Sequence, residues 1–137
     1  MKLIVCMDNQ SGMAFNNRRQ SKDREVRRDM LSYVRPHKLW MNTYSRQQFG
    51  SGKEYPQICV NDHFPAVAGP DDYCFLESPN YLINEYAVTE IVIYNWNRLY
   101  PADVFFQFNF EGWVLDSVKE FVGFSHDNIK REVWKKV

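Results

Sequence analysis

Short apolar runs alternate with polar stretches along the whole of this chain. Lys2–Met7 (KLIVCM) is a continuous run rich in branched residues, and it predicts a central strand buried on both faces. Asp8–Asn17 interrupts it and reads as a loop, with glycine at position 12. Beyond it, Val26, Met30, Tyr33 and Val34 recur at helical spacing, giving a helix with one apolar face that Pro36 stops near Val34. Ser21 is the expected N-cap of that helix, its hydroxyl accepting a free first-turn N–H. Asp23 then lies in the first turn, where a carboxylate suits the positive end of the helix dipole.

The same alternation continues. Lys38–Asn42 (KLWMN) predicts a second buried strand, and Thr43 is placed to cap a short helix, TYSRQQF. Gly50–Pro56 is a polar turn, Ile58–Val60 a brief strand, and Asn61–Ala68 one or two helical turns weakened by Pro65. After the turn Gly69–Asp72, Tyr73–Leu76 (YCFL) is another buried strand. Pro79 suits the first position of a helix beginning PNYLINEY. Ile91–Trp96 is a strand, RLYPADVFFQF a loop with a short extended end, and Trp113–Phe124 an alternating strand. A turn at Ser125–Asn128 leads to a last strand, Lys130–Lys136. Strand–helix alternation followed by two strands joined by a turn predicts an α/β fold: a mainly parallel sheet flanked by helices, with an antiparallel C-terminal hairpin. A single domain spanning residues 1–137 accommodates it.

Composition narrows the class. Hydrophobic residues make up 45% of the chain and aromatics 16%, which is the make-up of a packed domain rather than a disordered one. No apolar run approaches bilayer length, and the N-terminal run is too short for a signal peptide. Cys6, Cys59 and Cys74 are odd in number and lie in apolar runs without metal-type pairing. They read as reduced core residues of a cytoplasmic protein.

The zero net charge hides an asymmetry. Residues 1–46 carry ten Lys/Arg against four Asp/Glu, 10 − 4 = +6, and residues 47–137 carry seven against thirteen, 7 − 13 = −6. Either the basic part meets acidic loops in three dimensions, or it forms a patch for an anionic partner. Arg18, Arg19, Ser21 and Arg24 are the candidate anion-binding residues. A helix start offers free N–H groups, Ser21 a hydroxyl, and the guanidiniums can fork onto phosphate or carboxylate oxygens. Other chemistries have weaker support. His37, His63 and His126 are isolated from one another, so no metal site is expected. Ser/His/Asp catalysis lacks a Gly-x-Ser-x-Gly elbow, and there is no P-loop or dinucleotide fingerprint. Nucleic acid is disfavoured as a partner by a pI of about 6.8 and by the placing of Trp40, Trp96, Trp113 and Trp134 in strand-like runs.

The order of elements, together with LIVCMDNQSGM, KLWMNTYSRQQF, YCFLESPNYLINEY, VTEIVIYNW and ADVFFQFNFEGWVLDSVKEF, resembles a shortened dihydrofolate reductase. The resemblance implies that fold, and it puts Asp23 near the place of the family's pterin-binding catalytic acid, with Lys22 as the alternative in register. It also marks departures. Met41-Asn42-Thr43 lacks the family's Gly and Arg at one helix start, and Glu77-Ser78-Pro79 stands where the family has a Gly-Gly pair. A carboxylate and a proline without an N–H are poor substitutes for a phosphate cradle. The expectation is therefore a dihydrofolate-reductase-like protein without reductase activity and without a bound cofactor, taking a small anionic ligand or a protein partner near the first helix. The alternatives are a divergent NADPH-dependent reductase of a pterin-like or heteroaromatic substrate with Asp23 as its acid, and a nucleic-acid-binding or phage or host-defence inhibitor protein.

Overall fold

The computed structural model describes residues 1–50, 55–78, 81 and 83–137. Its main sheet is built from β1 (Lys2–Met7), β4 (Leu39–Met41), β5 (Ile58–Val60), β6 (Tyr73–Leu76), β7 (Glu90–Asn95), β9 (Trp113–Phe121) and β10 (Ile129–Lys136). These lie in the order β5-β4-β6-β1-β7-β10-β9. β1 runs parallel to both β6 and β7, with Leu3 opposite Cys74 and Ile91, and β4 runs parallel to β5 and β6. β10 is antiparallel to β7 and to the edge strand β9. The expected α/β architecture, with central parallel strands and a C-terminal antiparallel hairpin, is the one observed.

Alternate residues of each central strand serve two cores, as a sheet covered on both faces requires. On one face, helix α1 (Arg24–Val34) presses Val26, Met30, Leu31 and Val34 against Ile4, Phe75, Val92 and Tyr94. On the other, Leu3, Val5, Leu76, Ile91 and Ile93 pack under Phe64 of the short helix α3 (Phe64–Val67). Phe106, Phe108, Phe110 and Trp113 complete that cover from the segment leading into β9. An irregular aromatic stretch thus lies over this face of the sheet.

Three expectations about loops are corrected. Asp8–Asn17 is not only a loop: β2 (Gly12–Phe15) and β3 (Arg18–Arg19) form a second, three-stranded sheet with β8 (Val104–Phe105). The turn into β2 closes because the Asp8 carboxylate accepts from the N–H groups of Gln10 and Gly12, each at 2.8 Å. A Cβ on Gly12 would lie 2.5 Å from that carboxylate, so only glycine fits there. Asn16 and Asn17 both take positive φ, 53° and 62°, the two-residue hairpin turn that asparagine tolerates. The helix caps are also moved. Asp23, not Ser21, is the N-cap of α1, and Asn42, not Thr43, caps α2 (Thr43–Gln47). A carboxylate oxygen two residues from the expected hydroxyl accepts the free N–H in the first case, and an amide oxygen one residue from it in the second. The polar turn expected at Gly50–Pro56 falls partly outside the described residues, at 51–54. So does the helix expected from Pro79, with residues 79, 80 and 82. The part of it that is described ends in a 3-10 turn, Glu85–Ala87.

Candidate functional site

The start of α1 is the most heavily bonded polar region of the described chain. Asp23 Oδ1 accepts from the N–H of Glu25 at 2.8 Å, which makes the cap, and from the N–H of Phe124 at 2.9 Å. Its Oδ2 accepts from the N–H of Ser125 at 2.9 Å and from Nδ1 of His126 at 2.8 Å. The side chains of Asp23 and His126 are 0% and 2% exposed. Burial by itself would raise the Asp23 carboxyl. The Phe124 N–H, the His126 ring and the N–H groups of Ser125 and Glu25 outweigh it and hold the group well below the usual carboxylate range. The turn between β9 and β10 comes this close because it contains Gly123, where a Cβ would lie 2.6 Å from Asp23 Oδ2.

His126 continues the network outward. Its ring stacks on Trp96, with centroids 4.7 Å apart and planes inclined by 24°. Its Nε2 lies 3.0 Å from Ser21 Oγ and 2.9 Å from the Tyr100 hydroxyl. Tyr100 N–H and the Gln20 amide in turn donate to Asp8, at 3.3 and 2.8 Å. The ends of β1 and β7, the start of α1 and the β9–β10 turn are thereby joined by side-chain hydrogen bonds.

The expected anion-binding residues do not converge on one point. Arg19 is bidentate to Glu77, Nε to Oε2 at 2.7 Å and Nη2 to Oε1 at 3.0 Å, and lies over the Tyr44 ring. Its side chain is 18% exposed and that of Glu77 8%, so this is a structural tie between β3 and the end of β6. Arg18 is exposed on β3 and lines a cavity of about 280 Å³ with Arg19, Asn42, Tyr44 and Glu77. Ser21 bonds to His126, and Arg24 stacks on Phe124 at 4.1 Å. Arg18 and Arg19 lie on β3, Ser21 in the irregular segment before the cap and Arg24 in the first turn of α1, so the four side chains start from different elements. On the basic face of α1, Arg28 pairs with Glu25 of its own helix at 3.2 Å, and among the described residues no loop carboxylate pairs with Arg24, Arg27 or Arg28.

Arg24 does join other arginines. With Arg27, Arg28 and Arg35 it lines a cleft of about 670 Å³ between α1 and the segment after α2, floored by Leu31 and Phe49 and flanked by Gln48 and Tyr55. Arg27 Nη1 and Gln48 Nε2 are buried without a hydrogen-bond partner among the described residues. Cationic and amide donors face this cleft, and no acidic group is among the described residues that line it.

No family model matches the sequence, and no curated protein does either. Among solved structures, dihydrofolate reductase from Enterococcus faecalis, complexed with NADP(H) and RAB-propyl, superposes with a TM-score of 0.66. The match covers 98% of this chain and 95% of that one at 9% identity. The fold is dihydrofolate-reductase-like. At that identity the likeness concerns backbone architecture, not activity or ligands. In this dihydrofolate-reductase-like chain the carboxylate at the start of the first helix is wholly taken up by its own N–H groups and His126. The carboxylate at the end of β6 is held by Arg19.

Sequence reasoning pointed to Asp23, Arg18, Arg19, Ser21 and Arg24, but not to His126, Tyr100, Trp96, Arg27 or Arg35. His126 is 103 residues from Asp23 and 105 from Ser21, so no local spacing announces the contact. A signal for Arg35 did exist. Residues 24, 27, 28, 31 and 35 follow helical spacing and continue the basic face across Leu31 to the helix end.

Proposed function

We propose that this dihydrofolate-reductase-like protein does not reduce a pterin and instead binds a small anionic ligand in the arginine cleft of α1. The observation that carries the proposal is the cleft itself. Arg24, Arg27, Arg28 and Arg35 face one space, and two donors of its lining residues, Arg27 Nη1 and Gln48 Nε2, are buried without hydrogen-bond partners among the described residues. A buried donor left unpaired is costly, and an anion that accepts from both removes the cost. Guanidiniums suit planar or tetrahedral oxyanions because they donate in forks. The apolar floor of Leu31 and Phe49 favours a ligand with an organic body over a bare ion.

Two features favour the loss of the reductase reaction. An acid that hands a proton to substrate must be reachable and able to be protonated, whereas Asp23 is fully buried and held anionic by four short hydrogen bonds from the chain. Glu77 places a carboxylate, fixed by Arg19, at the end of β6, where a phosphate-binding turn needs donors.

A thermal-shift panel of inorganic phosphate, citrate, nucleotides, folates and NADPH decides between the readings, because any ligand of the folded state raises the melting temperature by mass action. Organic polyanions are expected to stabilise the wild-type chain and to lose that effect in the double variant Arg27→Ala, Arg35→Ala. NADPH is expected to give no more than the nonspecific shift of phosphate. Tight NADPH binding together with substrate-dependent NADPH oxidation would overturn the proposal. So would anion shifts identical in wild type and the double variant.

A further inference from the structure

The Asp23–His126 pair ends on a hydroxyl, and this geometry carries a second, independent reading. We propose that Ser21, His126 and Asp23 form a nucleophilic triad that accepts the acyl group of a small carboxylic ester. The parts stand in the order that such chemistry needs. A buried carboxylate orients a histidine through Nδ1 at 2.8 Å, and Nε2 of the same ring lies 3.0 Å from a serine Oγ. Because Asp23 is held anionic by the N–H groups of Glu25, Phe124 and Ser125, it acts only as an acceptor. The Nδ1 position therefore carries the proton, and in the neutral ring Nε2 offers its lone pair to Ser21. Trp96, stacked on the imidazole, fixes the ring plane and shields it from water. His126 and Asp23 are buried, whereas Ser21 is half-buried, so the nucleophile is the most accessible of the three.

The step balances without any further reagent. Ser21 Oγ bonds to the ester carbonyl carbon while its proton passes to His126 Nε2. The bond from that carbon to the alcohol oxygen then breaks, and the Nε2 proton leaves with the alcohol. Water attacks the acyl-serine, giving a proton to Nε2; the bond from the acyl carbon to Ser21 Oγ then breaks, the Nε2 proton passes to Oγ, and the carboxylic acid leaves. The Tyr100 hydroxyl, 2.9 Å from the same Nε2, competes with Ser21 for the lone pair in the resting state.

This arrangement also explains why no elbow motif was found. Ser21 stands on an extended segment before a helix cap, and its base arrives from a turn 105 residues away. Such triads are recognised by geometry and roles rather than by sequence order.

The test uses the full chain and a fluorophosphonate probe, read by intact mass and peptide mapping, with p-nitrophenyl acetate hydrolysis alongside. A single adduct on Ser21 is expected, together with a burst of p-nitrophenol. Ser21→Ala should abolish both, and His126→Gln should slow labelling by about a hundredfold or more, the usual contribution of a general base. Ser117→Ala, at an exposed position on β9 outside the network, should label as the wild type does. Should His126→Gln fail to fold by circular dichroism, the wild-type adduct map and Ser21→Ala still decide. A folded wild-type chain that takes no adduct, or takes it elsewhere, overturns the proposal. Equal labelling of a folded His126→Gln does the same, since Ser21 would then react without its base. None of these readouts involves the arginine cleft, so this proposal and the anion-binding one fail separately.

Discussion

Replacing Asp23 by asparagine removes one charge from the centre of the polar network and keeps its shape. The remaining carbonyl oxygen can still cap α1 through the Glu25 N–H. The new NH₂ group stands where Oδ2 stood, facing two donors, the Ser125 N–H and His126 Nδ1–H. Two buried donors left without an acceptor cost roughly 1–3 kcal/mol each, and partial relaxation of the β9–β10 turn brings the expected loss to about 3 kcal/mol. The acid limb supplies a second readout with a definite sign. The Asp23 carboxyl is held below its ordinary range when folded. Its contribution is therefore complete above the unfolded value of about 3.9 and is lost as the pH falls from there through the folded value. Asparagine has no such ionisation. The stability gap between wild type and Asp23→Asn should be full at neutral pH and should narrow below about pH 4. Urea unfolding followed by circular dichroism, at pH about 7, about 5 and about 3, measures it. A gap under about 1 kcal/mol at neutral pH, or one that does not change with pH, would refute the account of Asp23 as a buried anion tied by the chain.

Three further outcomes follow from the same geometry. Gly123→Ala puts a methyl group 2.6 Å from Asp23 Oδ2 and 3.0 Å from the His126 carbonyl, so thermal melts should show a loss of about 1–3 kcal/mol from overpacking. Arg19→Ala leaves the largely buried Glu77 carboxylate without its partner and should cost roughly 3 kcal/mol by urea titration. Arg18→Ala, at an exposed position, should leave stability nearly unchanged, and equal effects at the two positions would contradict this placement. Burial pushes the Cys74 thiol up to about 12, so Cys74 should resist an aromatic disulfide reagent at mildly alkaline pH and react once urea unfolds the chain. Rapid native labelling at Cys74, located by peptide mapping, would count against its placement in β6.

Much of the architecture was written in local patterns. The runs KLIVCM, LWM, YCFL and EIVIYN are apolar at consecutive positions, which only a strand covered on both faces requires, and parallel pairing of β1 with β6 and β7 follows from that. The helical spacing of Val26, Met30 and Val34 defined the buried face of α1, and the alternation through β9 and β10 defined the closing hairpin. The second sheet was less legible, although Asn16-Asn17 between short runs is a hairpin signal that the reading of Asp8–Asn17 as a loop passes over. The caps were misplaced by one or two residues because Ser21, Asp23, Asn42 and Thr43 are all able cap residues. Choosing among them depends on where the chain turns, which neighbouring elements decide.

The site belonged to tertiary structure. Arg19 looked like an anion ligand in the sequence because Glu77, its partner, is 58 residues away. His126 looked isolated because the carboxylate and hydroxyl that it joins lie at the other end of the chain. Periodicity is set by the geometry of one strand or helix and so can be read within a window of that length. A constellation such as Ser21, His126 and Asp23 is set by the register of β9 on β10, the lack of a Cβ at Gly123 and the packing of Trp96. None of these leaves a mark in the residues beside Ser21. The sequence by itself determined which segments form the central strands, the buried face of α1 and the closing hairpin, and the folded structure alone determined the order in which the strands pair and which polar groups meet.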